Sequence, residues 1–114
     1  MNINNIQKQL SDFADERNWD QFHNPKNLAM ALSVEASELV EIFQWLTSEQ
    51  AEAIMSSSES DHVKEEMADI MIYLIRMADK LNVDLENAVT DKIVKNGKRY
   101  PVSLSKGNVK KITI

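Results

Sequence analysis

No cysteine occurs anywhere in the 114 residues, so disulfides, thiolate zinc sites and a thiol nucleophile are excluded together. Glycine and proline appear only twice each. Tight turns are therefore scarce, and the aliphatic, Met, Glu, Lys and Ala usage favours helix. No apolar run approaches the roughly 20 residues of a membrane span, and the opening MNINNIQKQL lacks the basic, apolar and small-residue sections of a signal peptide. The expectation is a cytoplasmic protein without membrane contact. No glycine-rich phosphate loop and no Ser-His-Asp set is evident. The formal charge of −5 opposes nucleic-acid binding, which needs lysines and arginines to neutralise phosphates. Acidic residues are also missing from one stretch: residues 1–91 carry 18 acids against 6 bases, whereas residues 92–114 carry seven bases and no acid. A chain this short buries a limited fraction of its surface alone, which favours association with copies of itself.

Apolar spacing places four helices. The first runs from about Asn4 to Arg17, with Ile3, Ile6, Leu10 and Phe13 at three- and four-residue steps. A polar link from Asn18 to His23 follows. The second starts at Asn24-Pro25, a capping residue followed by a residue suited to the first helical position, and reaches about Leu46. A helical turn near Ser48 to Met55 and the loop Ser56-Ser57-Ser58-Glu59-Ser60 lead to the third helix, about Asp61 to Leu81, capped by Ser60 or Asp61 and stopped by Asn82. Asp84 caps the fourth, which ends near Gly97. Beyond Pro101, Val102, Leu104, Val109, Ile112 and Ile114 stand among lysines in what reads as an extended tail.

Carboxylates sit where apolar residues belong. Leu28, Leu32, Leu39, Ile42 and Leu46 form a stripe on the second helix, and the position that completes it is Glu35. At about 100° per residue, Ala31, Glu38 and Trp45 run along one flank. The third helix repeats the arrangement: Val63, Met67, Ile70, Leu74 and Leu81 form the expected buried stripe, with His62, Glu66, Asp69 and Tyr73 on its flank. Packing the two faces would gather Glu35, Glu38, Glu66 and Asp69. Burying unpaired charges costs on the order of several kcal/mol each, so a compensating cation is required. An oxygen-only donor set suits a hard divalent ion, Mg²⁺ or Mn²⁺. Glu49, Glu52, Glu59 and Glu65 read as solvated helix faces, and Glu41 as a group beyond direct ligation.

The string Glu35-Ala-Ser-Glu38, 27 intervening residues and Glu66-Met-Ala-Asp69 resembles the E-x-x-E … E-x-x-D signature of the all-α nucleoside triphosphate pyrophosphohydrolases, the MazG-like superfamily. Arg17-Asn-Trp19-Asp-Gln-Phe22-His23-Asn-Pro25, Phe43-Gln-Trp45, Asp69-Ile-Met-Ile-Tyr73-Leu and Lys92 … Asn96 … Lys98-Arg99-Tyr100-Pro101 are similar to its dCTP-pyrophosphatase branch. The resemblance implies an all-α four-helix bundle that assembles as a homodimer or homotetramer, with sites completed between subunits. It implies Mg²⁺-dependent cleavage of a (deoxy)nucleoside triphosphate between its α and β phosphates. By the same resemblance Glu35, Glu38, Glu66 and Asp69 are metal ligands, Trp19, His23, Trp45 and Tyr73 shape the base and sugar pocket, and Lys92, Asn96 and Arg99 hold phosphates or the base edge. Glu38 and Glu35 are the catalytic candidates, with Glu38 as general base. Leu10, where some relatives place a polar contact, and Gly97-Lys98, in place of a more arginine-rich run, bear on base preference.

The expected organisation is one enzymatic domain over residues 1–101 and a basic, aliphatic tail over 102–114. The rival reading is a non-catalytic helical oligomerisation module whose acids are solvated, whose tryptophans are core or interface packing and whose Lys92, Lys98 and Arg99 merely offset a helix dipole.

Overall fold

A computed structural model describes residues 1–110. Among them no strand forms. The helices are α1 (Ile3–Glu16), α2 (Pro25–Phe43), α3 (Ser48–Glu52), α4 (Ser60–Leu81), α5 (Leu85–Arg99) and α6 (Val102–Ser105), with 3-10 turns at Asp20–Phe22 and Ile54–Ser56. The all-α expectation therefore holds. The chain divides into two compact units, Met1–Asn82 and a second beginning at Val83. Three long helices, α1, α2 and α4, share the first unit, and the fourth, α5, lies in the second.

Local signals fix most helix ends in the first unit. The Asn2 side chain accepts from the Asn5 amide at the start of α1. At its end Asn18 takes a left-handed φ of 56°, a conformation asparagine tolerates better than most side chains. This reversal lets the Trp19 amide donate to the Ala14 carbonyl at 2.8 Å, which turns Trp19 back beside α1. Asn24 caps α2 by accepting from the Asn27 amide at 2.8 Å, and the Asn27 side chain donates to the Phe22 carbonyl at 3.0 Å. Replacing Asn24 with alanine should lower stability by about 1 kcal/mol, read as an earlier midpoint in chemical denaturation with an unchanged m-value.

Helix α2 stops at Phe43, three residues before the expected end, because Thr47 and Gln50 form a reciprocal capping box that opens α3. Trp45 falls in the link. Helix α4 is capped differently from expectation: Ser60 and Asp61 lie inside its first turn, Glu59 is the capping position without a side-chain bond, and the Ser57 hydroxyl accepts from the Glu59 amide. Asn82 ends α4 in the left-handed region at φ 55°, as its place predicts.

Helix α4 packs along α2 and, less extensively, along α1. The first unit's buried apolar residues are Ala14, Leu28, Ile54, Val63, Ile75 and Ala78. The expected α4 stripe is only partly right. Val63 is buried, but Met67 is 58% exposed and Leu74 and Leu81 are also exposed. The inward positions instead include Glu66 and Arg76, since α4 must face α1 and α2 at once and a single heptad stripe covers only one neighbour.

In the second unit Asp84 caps α5 by accepting from the Asn87 amide at 3.0 Å. The helix continues through Gly97 to Arg99. Gly97 adopts no positive φ, and the physical stop is Pro101, which disfavours helix at the residue before it. Residues Val102–Ser105 form a short helix rather than an extended segment; Ile112 and Ile114 lie outside the described residues.

Candidate active site

Helix periodicity puts Glu35 and Glu38 on one side of α2, and the packing of α4 brings Glu66 against them. Glu35, Glu38 and Glu66 each offer a carboxylate oxygen within 4.8 Å of the others. Glu66 is only 8% exposed. One oxygen of Glu35 and one of Glu66, both Oε2, are buried without a hydrogen-bond partner. Crowding has a direct electrostatic result: the Glu35 carboxyl is pushed up to about 7, first by Glu66, to which a protonated Glu35 donates, then by burial and by Glu38. Three acids with two buried oxygens left without partners form an acceptor set that a cation would satisfy. The donor chemistry fits a hard divalent ion, which takes oxygen ligands and tolerates retained waters. Glu35, Glu38 and Glu66 are thus the residues that could hold one.

Asp69 stands outside this group. One turn along α4 it lines a cavity of about 360 Å³ with Leu10, Phe13, Trp19, His23, Tyr73 and Arg76, among others. The cavity wall is aromatic: Phe13 and Trp19 meet edge to face at 5.8 Å, and Trp19 and His23 at 6.5 Å. Arg17 lies 3.5 Å over the outer Phe13 ring. Tyr73 links cavity and acids. Burial first, then the charges of Glu35, Asp69 and Glu38, push its phenol up, so the hydroxyl stays protonated and able to donate.

On the other side of the acids, Glu38 borders an open hollow with Glu41, Ile42, Leu46, Glu59 and His62. His62 sits 3.0 Å from Glu59 and 3.5 Å from Glu66. Its imidazole is pushed up, chiefly by the hydrogen bond with Glu59 and then by neighbouring carboxylates, so it is a local cation beside the cluster at mildly acidic pH. Glu59 and His62 form one Glu-x-x-His pair; a di-iron bundle takes two.

Among the other sequence-derived candidates, Trp45 is 87% exposed in the link after α2. Lys92, Asn96 and Arg99 lie on α5 in the second unit, where Arg99 approaches the Tyr100 ring at 5.5 Å. The structure adds residues that the motifs did not mark. Arg76, 4% exposed, donates from Nε to His23 Nδ1 at 3.2 Å and from an amino group to Asp20 at 2.8 Å. Lys80 also pairs with Asp20, whose carboxyl is held low by Lys80 first and also by Arg76. A lone arginine within Ile70-Met-Ile-Tyr-Leu-Ile-Arg76-Met was the available signal. Phe13 was legible only as a packing residue.

The MazG-like family profile matches residues 30–113. The chain is 43% identical over 112 residues to dCTP pyrophosphatase 1 of Bos taurus and 40% identical to that of Homo sapiens, in each case across 97% of this chain. It spans 66% of the length of these curated relatives. A pyrophosphatase from Archaeoglobus fulgidus, known from its crystal structure, superposes with a TM-score of 0.82 at 36% identity, covering 89% of this chain and 94% of its own. Profile, sequence and fold converge on the helices that bring the carboxylates together, and this chain belongs to the MazG-like family.

Proposed function

We propose that this protein is a Mg²⁺-dependent nucleoside triphosphate pyrophosphohydrolase that converts a (deoxy)nucleoside triphosphate, dCTP or a related or modified dNTP, to its monophosphate and pyrophosphate. The observation that carries the reading is the trio Glu35, Glu38 and Glu66, with two buried oxygens lacking partners, beside a cavity walled by aromatic rings. Relatives named as dCTP pyrophosphatases, at 40–43% identity, support the substrate class.

In this reading Glu35, Glu38 and Glu66 hold the cation, and Asp69 joins them from the cavity side. Bound Mg²⁺, or Mn²⁺ in its place, supplies Lewis-acid charge at the phosphates. Glu38 borders the open hollow as well as the trio, a place from which a carboxylate can take the proton of an attacking water. Glu35, unprotonated only above about pH 7 unless a cation is present, sets the charge of the site. Trp19, His23 and Tyr73 shape the base and sugar pocket. Trp45 adds to it, and Lys92, Asn96 and Arg99 contact phosphates or the base edge. The cellular role is removal of unwanted nucleotides from the cytoplasmic pool.

Steady-state rates over canonical and modified dNTPs, with and without Mg²⁺, test the reading. Pyrophosphate release from at least one dNTP, absent under chelation, is expected; no turnover of any nucleotide overturns it.

The assembly is a homodimer or homotetramer. Met30 and Val34 on α2 and Met67, Met71 and Leu74 on α4 are all exposed, and α4 carries its three at spacings that form one face. Exposed apolar surface of this kind marks association. Light scattering should give two or four times the mass of 13.0 kDa, and Met71→Glu should shift it toward the monomer.

A further inference from the structure

We propose that Arg76 is a positioning residue for base selection: by occupying His23 Nδ1 it fixes the imidazole as an Nε2–H donor in the wall of the aromatic cavity. The inference rests on the function proposed above. It begins with what an arginine can do. A guanidinium only donates, so the Arg76 Nε–H bond to His23 Nδ1 at 3.2 Å makes Nδ1 the acceptor. The ring proton then sits on Nε2. Burial first, then the charges of Arg76 and Lys80, pull the His23 imidazole down, so the ring is a neutral imidazole with one defined donor.

The rest of the guanidinium faces carboxylates. One amino group meets Asp20 at 2.8 Å and the other faces Asp79 at 3.5 Å. Arg76 lines the cavity, but its Nε and both amino groups each already face a partner: His23, Asp20 and Asp79. Its bonds to Asp20 and His23 instead clamp the segment holding Trp19 and His23 onto α4, the helix that carries Asp69 and Tyr73. Position and tautomer of the cavity wall are set by one buried side chain. A nucleobase is distinguished by the pattern of donors and acceptors on its edge, and a site built to pair with one pattern rejects bases that leave its polar groups unpaired. A histidine free to exchange tautomers would match both patterns and discriminate less.

The test compares wild type with Arg76→Leu, which keeps bulk and helix propensity but removes every donor. Rates with Mg²⁺ and binding of non-hydrolysable analogues are measured for all four dNTPs. The expected result is a KM for the preferred dNTP raised about tenfold, the scale of one hydrogen bond, with kcat within about twofold and the preference over the next base reduced by about the same tenfold. In a His23→Gln background, whose amide always carries a donor, Arg76→Leu should leave the preference where His23→Gln puts it. A structural role alone would lower melting temperature or slow all four nucleotides alike. An unchanged ratio between bases therefore overturns the proposal. Should Arg76→Leu fold poorly, Arg76→Met, which keeps more of the side chain's length and carries no donor, must show the same loss of preference, and its absence counts equally against the proposal. Wild type that binds analogues without hydrolysing any dNTP strikes the function reading and leaves the binding ratios to decide this one; wild type that binds no nucleotide overturns both.

Discussion

Replacing Glu38 with alanine is expected to cut pyrophosphate release by about 10²–10³-fold, the scale of losing a principal electrostatic contributor at a reacting centre, while circular dichroism and oligomer mass stay those of wild type. Glu38 is one of three carboxylates converging within 4.8 Å, and it alone of the three also borders the open hollow. Its loss removes the proposed cation ligand and the proposed proton acceptor together. The fold should be indifferent, because the buried apolar residues of the unit lie elsewhere and removing a negative charge from a crowded acidic group relieves repulsion. Asp69→Ala should act in the same direction. A Glu38→Ala enzyme retaining a tenth of wild-type activity would contradict the assignment.

The second large effect is the pH dependence of metal binding. The apparent Mg²⁺ affinity should weaken by about tenfold per pH unit below pH 7, a total of about 100-fold at pH 5, because a cation must displace the proton held by Glu35. Above pH 7 the affinity should level off. The stability of the metal-free protein carries the opposite sign. A carboxyl whose folded pKa lies above its unfolded value binds more protons in the native state between about pH 4.5 and 7. Stability from this group is therefore present below pH 4.5 and lost as pH rises through 7. Added Mg²⁺ should restore it at pH 8, as a higher melting temperature. Glu35→Gln, a neutral isostere of the protonated acid, should remove this group's share of the pH dependence of the metal-free protein's stability, leaving that of His23 and His62, and abolish the Mg²⁺ response. Calorimetric titration at pH 5, 6, 7 and 8 checks the slope, and a Kd that does not change with pH would refute it.

How much of this was legible in the sequence depends on the range of each interaction. Asn24, Asp84 and Asn82 act within three or four residues of themselves, and the caps and stop they imply are where the structure has them. Glu35 was legible because it breaks an apolar stripe on its own helix, and the pairing of α2 with α4 follows from their two acidic flanks. The end of α2 was misjudged because the Thr47–Gln50 capping box outcompetes a helical pattern that runs on to Leu46. Arg76 was missed because its meaning lies in His23 and Asp20, 53 and 56 residues away. No local pattern encodes such a bond. Met67 and Leu74 read as core for a related reason: a helical stripe says that a face is apolar, not whether the same chain or another copy covers it.

The charge split that marks the sequence also has a place in the structure. The first unit, rich in acids, contains the carboxylate trio, and the basic residues that follow Asp91 begin on α5 in the second unit.

The most direct measurement is phosphorus NMR of dCTP incubated with the protein and Mg²⁺. The account predicts dCMP and pyrophosphate as the only products, absent with Glu38→Ala. Appearance of dCDP and inorganic phosphate would contradict it, as would intact nucleotide throughout a panel of canonical and modified dNTPs beside a protein with all four acids in place.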